Sequence, residues 1–203
     1  SLAFLAAAGG GNAYLGRRAR HQKRFIREAF SRYVSPAVVD QLIAEPERLD
    51  VGGERCEVTY LFTDLAGFTT LTEKLEPKVL VTLLNRYLDG MIGILLEHGA
   101  TLDKIVGDAT VAFFNAPVEQ PDHQTRAVHC ALAIDAFTQA FAAEQRAAGQ
   151  EFSHTRIGVH SGEAVIGNFG GDAFFDYTGH GDAVNTAARL ESVNKHLGTR
   201  ICV

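Results

Sequence analysis

Cysteine is scarce in this 203-residue sequence: Cys56, Cys130 and Cys202 are an odd number with no CxxC spacing. That argues for reduced thiols in a cytoplasmic setting and against a disulfide framework or a zinc site. The eight histidines show no HExxH or other tight ligand spacing, and a histidine read singly is more often a core or surface residue than a metal ligand. A Walker A sequence is also missing, so any phosphates are not held by that loop. Charge is absent from residues 1–16, SLAFLAAAGGGNAYLG, yet this stretch is glycine-rich and shorter than the ~20 residues that span a bilayer. It begins with Ser, and basic residues follow rather than precede it, which argues against a signal peptide. Two readings stay open: the end of a transmembrane helix with its basic flank on the cytoplasmic side, or a flexible leader.

Positive charge is unevenly placed. Residues 17–33 hold seven Lys/Arg against the single acid Glu28, whereas from residue 34 onward 12 bases face 23 acids. Such an acidic body repels nucleic acid, and to handle phosphates it must recruit cations. The hydrophobic fraction of 46% and charged fraction of 21% describe a soluble globular protein rather than a disordered one.

Phe25, Ile26, Ala29, Phe30 and Tyr33 recur at helical spacing and predict an amphipathic helix over 17–33. Ser35 as N-cap and Pro36 at the first helical position open a second helix through Val38, Val39, Leu42 and Ile43. The pair is either a packing appendage or a relay from an upstream part. Gly52-Gly53 then joins this 17–50 segment to a main domain at 51–203. There the pattern predicts a strand at 56–63, a turn at Asp64–Gly67 and a helical stretch near 73–98. Strands at 100–106 and 109–114 follow, separated only by Gly107-Asp108, a two-residue hairpin signal. A helix at 122–148, strands at 154–161, 163–169 and 174–178, a helix at 182–196 and a strand from 199 complete the reading. Strand-helix-strand-strand-helix-strand is the ferredoxin-like α+β pattern, an antiparallel sheet with packed helices, here with an N-terminal helical extension.

In that topology the first and third strands are neighbours, so the end of the first strand and the turn between the second and third share one edge. Asp64 and Asp108, ordinary turn residues when taken singly, then converge. Paired carboxylates suit Mg²⁺ or Mn²⁺, which also bind substrate phosphates. Gly67-Phe68-Thr69-Thr70 offers backbone amides at a helix start. Asn185 and Arg189 are four residues apart on a predicted helix and project from one face. The plainer reading of Arg189 is a surface pair with an acid such as Glu191.

Three segments, FTDLAGFTTLTE (62–73), DKIVGDATVAFFNAP (103–117) and FDYTGHGDAVNTAARLE (175–191), together resemble the class III adenylate and guanylate cyclase catalytic domains, and FSRYVSP (30–36) resembles the helical transducer that precedes them. The resemblance implies that Asp64, Asp108 and the carbonyl of Leu65 hold two divalent metals, Mg²⁺ or Mn²⁺. It implies that Lys104 and Thr178 read adenine, with Thr178 where many members carry Asp and a bacterial subgroup carries Thr. Phe68 and Thr69 fall at the substrate, and Asn185 and Arg189 match the residues that position the ribose and stabilise the transition state. It further implies ATP as substrate, a homodimer with shared sites, an upstream sensor or membrane part, a catalytic domain at the cytoplasmic face of the membrane, and further strands with a phosphate-contacting lysine beyond Val203. The alternatives in view are a guanylate cyclase and a non-catalytic nucleotide-binding or dimerisation module of the same fold.

Chemistry supports the base assignment: adenine shows an acceptor at N1 and a donor amine at N6, which an ammonium and a hydroxyl can meet.

Overall fold

The computed structural model describes residues 39, 43–44, 53–171 and 174–203. The expectations for residues 1–16, and all but three positions of the segment 17–50, fall outside the described residues. The remainder forms β1 (Glu54–Leu65), α1 (Phe68–Lys74), α2 (Pro77–Glu97), β2 (Thr101–Val106), β3 (Ala109–Phe114), α3 (His123–Ala147), β4 (Thr155–Gly171), β5 (Phe174–His180), α4 (Asp182–Leu197) and β6 (Ile201–Cys202).

The sheet runs β2-β3-β1-β4-β5, and β6 adds to β4. Its first four strands pair antiparallel in the ferredoxin-like order, but β6 lies parallel to β4 through Ile157 and Gly158, so the sheet is mixed rather than purely antiparallel. β1 occupies the centre, bonded to β3 on one side and to β4 on the other. Both faces of a central strand need covering, and Val58, Thr59, Tyr60 and Leu61 are all buried. Leu61 faces a core shared with Leu83, Tyr87, Met91 and Leu95 of α2 and Ile134 and Phe141 of α3. Val58 and Tyr60 face the opposite side, packed with Val111, Phe113, Ile166 and Ala187 of α4. Full burial of one such apolar side chain contributes about 1.5–3 kcal/mol, so the two faces together supply most of the driving force.

Two boundaries differ from expectation. The helical stretch expected near 73–98 begins earlier, at Phe68, and is two helices. Glu76 precedes Pro77 and adopts extended backbone (φ −57°, ψ 138°), because the proline ring crowds the α conformation of the residue before it. Pro77 then starts α2, where its missing N–H costs nothing. The strands expected at 154–161 and 163–169 are one continuous strand of 17 residues. Gly162 does not break it, since its neighbour across the ladder, Val58, keeps regular pairing.

The sheet is twisted enough for its outer strands to meet over the Tyr60 face. Phe113 and Tyr177 have ring centroids 6.0 Å apart, and β5 reaches Asp103 of β2 through Thr178. On the same face α4 lies directly on β4: a Cβ at Gly158 would overlap the backbone of Ala187 and Glu191. Two backbones in contact cannot yield as a side chain can. Gly158→Ala is therefore expected to lower unfolding stability by about 1–3 kcal/mol, read as a shifted urea midpoint. An unchanged midpoint would show that α4 is not seated there.

Candidate active site

Asp64 is the penultimate residue of β1, and Asp108 sits in the β2–β3 turn opened by Gly107, whose φ of 64° suits glycine. The main-chain ladder between β1 and β3 closes at Phe62 and Val111. Beyond it the strands are tied by side chains. The hydroxyls of Thr63 and Thr110 lie 2.7 Å apart, and the Thr110 amide donates to the Thr63 hydroxyl at 3.0 Å. Two residues further along, past Asp64, the Leu65 amide donates to Oδ2 of Asp108 at 2.9 Å. The two acidic positions predicted to converge thus share one rim.

Asp108 is buried, at 7% exposure. Burial pushes its carboxyl above the usual carboxylate range, the Leu65 amide opposes this, and the nearby Asp64 charge adds to it. Asp64 is paired with the Arg156 guanidinium, its partner across the β1–β4 ladder. Arg156 Nε also lies 2.9 Å from Oε1 of Glu191. Glu191 is nearly buried, and burial raises its carboxyl above the ordinary value. Sequence reasoning missed Arg156 altogether and considered Glu191 as a surface partner for Arg189; the acid instead turns inward to Arg156.

The donor chemistry fits a hard divalent cation. Two carboxylates and the peptide carbonyl of Leu65 are all oxygen donors of the kind that Mg²⁺ and Mn²⁺ take. Among the described residues no group of three or more His, Cys, Asp or Glu side chains is placed for a metal, so remaining ligands would come from water or substrate phosphates. Beside the rim lies a cavity of about 630 Å³ lined by Gly67, His154, Arg156, Lys195 and Arg200 among others. It is open and cationic.

Lys104 and Thr178 also come together. The Lys104 ammonium donates to the Thr178 hydroxyl at 3.4 Å, across the meeting of β2 and β5. A register shift between Leu102 and Lys104 places an extra residue, Asp103, in the strand. Asp103 lies between the two, 3.2 Å from the Lys104 ammonium and accepting the Thr178 hydroxyl at 2.9 Å. Nothing in the sequence pattern singled it out.

Phe68 and Thr69 open α1 behind Gly67, which takes the left-handed conformation at φ 76°. The Phe68 ring packs partly into the core, and Thr69 is exposed. Asn185 and Arg189 lie on the outer face of α4 and line one shallow pocket with Ser192 and His196. Asn185 donates only weakly to the Gly181 carbonyl, at 3.4 Å, and Arg189 has no hydrogen-bond or ion-pair partner among the described residues. Among the described residues, neither makes a hydrogen bond or an ion pair with Asp64, Asp108 or Lys104, and none of those three lines their pocket.

Comparison with known proteins agrees with this geometry. Residues 53–202 match the family described as adenylate and guanylate cyclase catalytic domain. The chain belongs to that family. It is similar to adenylate cyclase 1 of Rhizobium meliloti, with 41% identity over 147 residues, 72% of this chain and 22% of that protein. The chain therefore spans about a fifth of that relative's length. Among solved structures it resembles the adenylyl cyclase CyaB from P. aeruginosa, at a TM-score of 0.68 and 38% identity over 70% of this chain and 74% of that one. The guanylyl cyclase Cya2 is similar too, at a TM-score of 0.66 and 35% identity over 70% and 72%. These values separate cyclase from other folds but not adenine from guanine.

The raised Asp108 carboxyl has a consequence for stability. A carboxyl that binds its proton more tightly when folded stabilises the fold at low pH, and this contribution is lost as pH rises through the folded value. Wild type should therefore lose stability relative to Asp108→Asn as pH climbs from about 4, the ordinary Asp value. Urea titrations of both proteins at stepped pH would show it. A constant difference between them would refute the shift.

Proposed function

We propose that this chain is the catalytic domain of an adenylate cyclase, converting ATP to 3′,5′-cyclic AMP and pyrophosphate by two-metal catalysis, with sites shared between two copies. The observation that carries the adenine assignment is the meeting of Lys104 and Thr178 at 3.4 Å, which sets a cationic donor beside a hydroxyl at the spacing of one base edge. Guanine presents the opposite polarity at the matching atoms. The Asp64–Asp108 rim supports the phosphate end of the same reading.

Asp64, Asp108 and the Leu65 carbonyl would hold Mg²⁺ or Mn²⁺; such ions, when bound, neutralise triphosphate charge and lower the pKa of the ribose 3′ hydroxyl. The residues of the chain do the rest by positioning and electrostatics, which carry phosphoryl transfer. Lys104 and Thr178 orient the base. Asn185 holds the ribose so that the 3′ oxygen lines up with the α-phosphorus. A bond forms between them, the 3′ proton leaves, and the bond from the α-phosphorus to the pyrophosphate oxygen breaks. The Arg189 fork stabilises charge on the transferring phosphorus. Amides at the start of α1, around Phe68 and Thr69, face the phosphates.

Exposure of Asn185 and Arg189, without a hydrogen bond or ion pair to their own chain's aspartates among the described residues, supports their service in the site of a second copy. A twofold arrangement makes two such sites. In the parent protein we place the domain at the cytoplasmic face of a membrane, below an upstream sensor, on the strength of the uncharged residues 1–16 and the basic cluster after them.

The test is product formation from ATP and from GTP with Mn²⁺. Cyclic AMP is expected, and cyclic GMP as the sole product would overturn the base assignment. Asp64→Ala or Asp108→Ala should lower turnover by about a thousandfold or more with an unchanged circular dichroism spectrum. Mixing Asp64→Ala with Asn185→Ala chains should restore up to about a quarter of wild-type activity, since half the dimers carry one intact site. No rescue despite proven mixing contradicts shared sites, and nucleotide binding without turnover favours a regulatory module.

A further inference from the structure

The strongest feature among the residues given no role above is a buried acid. Asp103 is 4% exposed, and a charge in that setting is costly unless it is paired and hydrogen-bonded. We propose that Asp103 fixes the hydrogen-bond polarity of Thr178 and is thereby a specificity-determining positioning residue, favouring adenine over guanine; the idea rests on the reading above that Lys104 and Thr178 meet the base.

A threonine hydroxyl carries one proton and two lone pairs and rotates to suit its partner. Left alone, Thr178 would serve either the N6 amine of adenine as acceptor or the O6 of guanine as donor. Here its proton is committed, because Thr178 donates to Asp103 Oδ2 at 2.9 Å. Only lone pairs remain. One faces the Lys104 ammonium at 3.4 Å, and the other is left for a donor from the substrate. Adenine supplies a donor at that edge. Guanine sets an acceptor oxygen against a lone pair, and a site discriminates best when the wrong ligand meets repulsion rather than a weaker attraction.

Three further observations bear on the assignment. The ammonium of Lys104, on a half-exposed flexible side chain, lies 3.2 Å from Asp103 Oδ1, so the acid also holds the other reading group in place. Burial raises the Asp103 carboxyl, while Thr178 and Lys104 act in the opposite sense; both contacts favour the ionised, accepting form. Finally, the β5 backbone is closely packed at this point. A Cβ at Gly179 would overlap the Tyr60 hydroxyl and Ile166, so Thr178 is presented by a backbone pressed onto the sheet.

Asp103→Asn keeps the shape but supplies an amide that can donate to Thr178, which frees the threonine proton to point outward. The ratio of kcat/KM for ATP over GTP should fall by about tenfold, with loss on ATP and gain on GTP. Calorimetric binding of non-cyclisable α,β-methylene analogues of ATP and GTP with Mn²⁺ should show the same change. This arm separates two failures: a wild type that prefers the ATP analogue but forms no cyclic nucleotide defeats the cyclase reading alone. In a Thr178→Ala background, Asp103→Asn should move the ratio far less than in wild type, because the hydroxyl route is gone and only the contact with Lys104 remains. Thr178→Ser should retain adenine preference, and it decides the matter if Asp103→Asn does not fold. Equal losses on both nucleotides, a ratio unmoved by Asp103→Asn, or a Thr178→Ser variant blind to the base would each overturn the proposal.

Discussion

The antiparallel register between β1 and β3 is the constraint on which the rest depends. It is kept beyond the end of the main-chain ladder by two threonine hydroxyls, Thr63 and Thr110, 2.7 Å apart and buried. Each is a small polar side chain in a place where an apolar one would pack as well, and each satisfies the other. Their pairing delivers Leu65 and Asp108 to hydrogen-bond distance. A slip of one residue along either strand would turn the threonines to opposite faces and separate Asp64 from Asp108. Register here is therefore chemistry as much as architecture.

The same central strand sorts the molecule into two functions. Its Leu61 side is sealed by α2 and α3, with Tyr87, Phe141 and Phe152 packed tilted or edge-on at centroid distances of 5.1–5.8 Å. This side carries stability. The Tyr60 side is covered only in part by α4, and over it the outer strands converge to bring Lys104, Thr178 and Asp103 together. A buried tyrosine, a glycine that must stay bare and a carboxylate in a bulge are all poor choices for packing alone. They cluster where the base is proposed to be read.

Much of this was legible in the sequence, and the losses have identifiable causes. The hairpin at Gly107-Asp108 and the neighbouring of the first and third strands follow from apolar runs and turn chemistry, and from these the nearness of Asp64 and Asp108 could be derived. The break at Glu76–Pro77 was equally derivable from the proline, but the apolar periodicity running through it masks the signal. The uninterrupted β4 could not be read, because a glycine in a strand looks the same whether it ends the strand or lets a helix lie against it. Arg156 and Asp103 escaped for a different reason. Their significance lies in partners 92 and 75 residues away, and local pattern carries no information on such pairings. Asp103 was hidden further by the bulge, which breaks the alternation that would have assigned it a face.

The seating of α4 on Gly158 has a mechanical corollary. Where helix and strand meet through their main chains, there is no layer of side chains to act as a bearing, and neither sliding nor rolling of the helix is available at low cost. Asn185 and Arg189 are then carried as fixed fittings of the domain body. If those two groups serve a neighbouring copy, engaging and disengaging them requires one whole domain to pivot against another, so control over output would be exerted at the joint between bodies rather than by any deformation inside one.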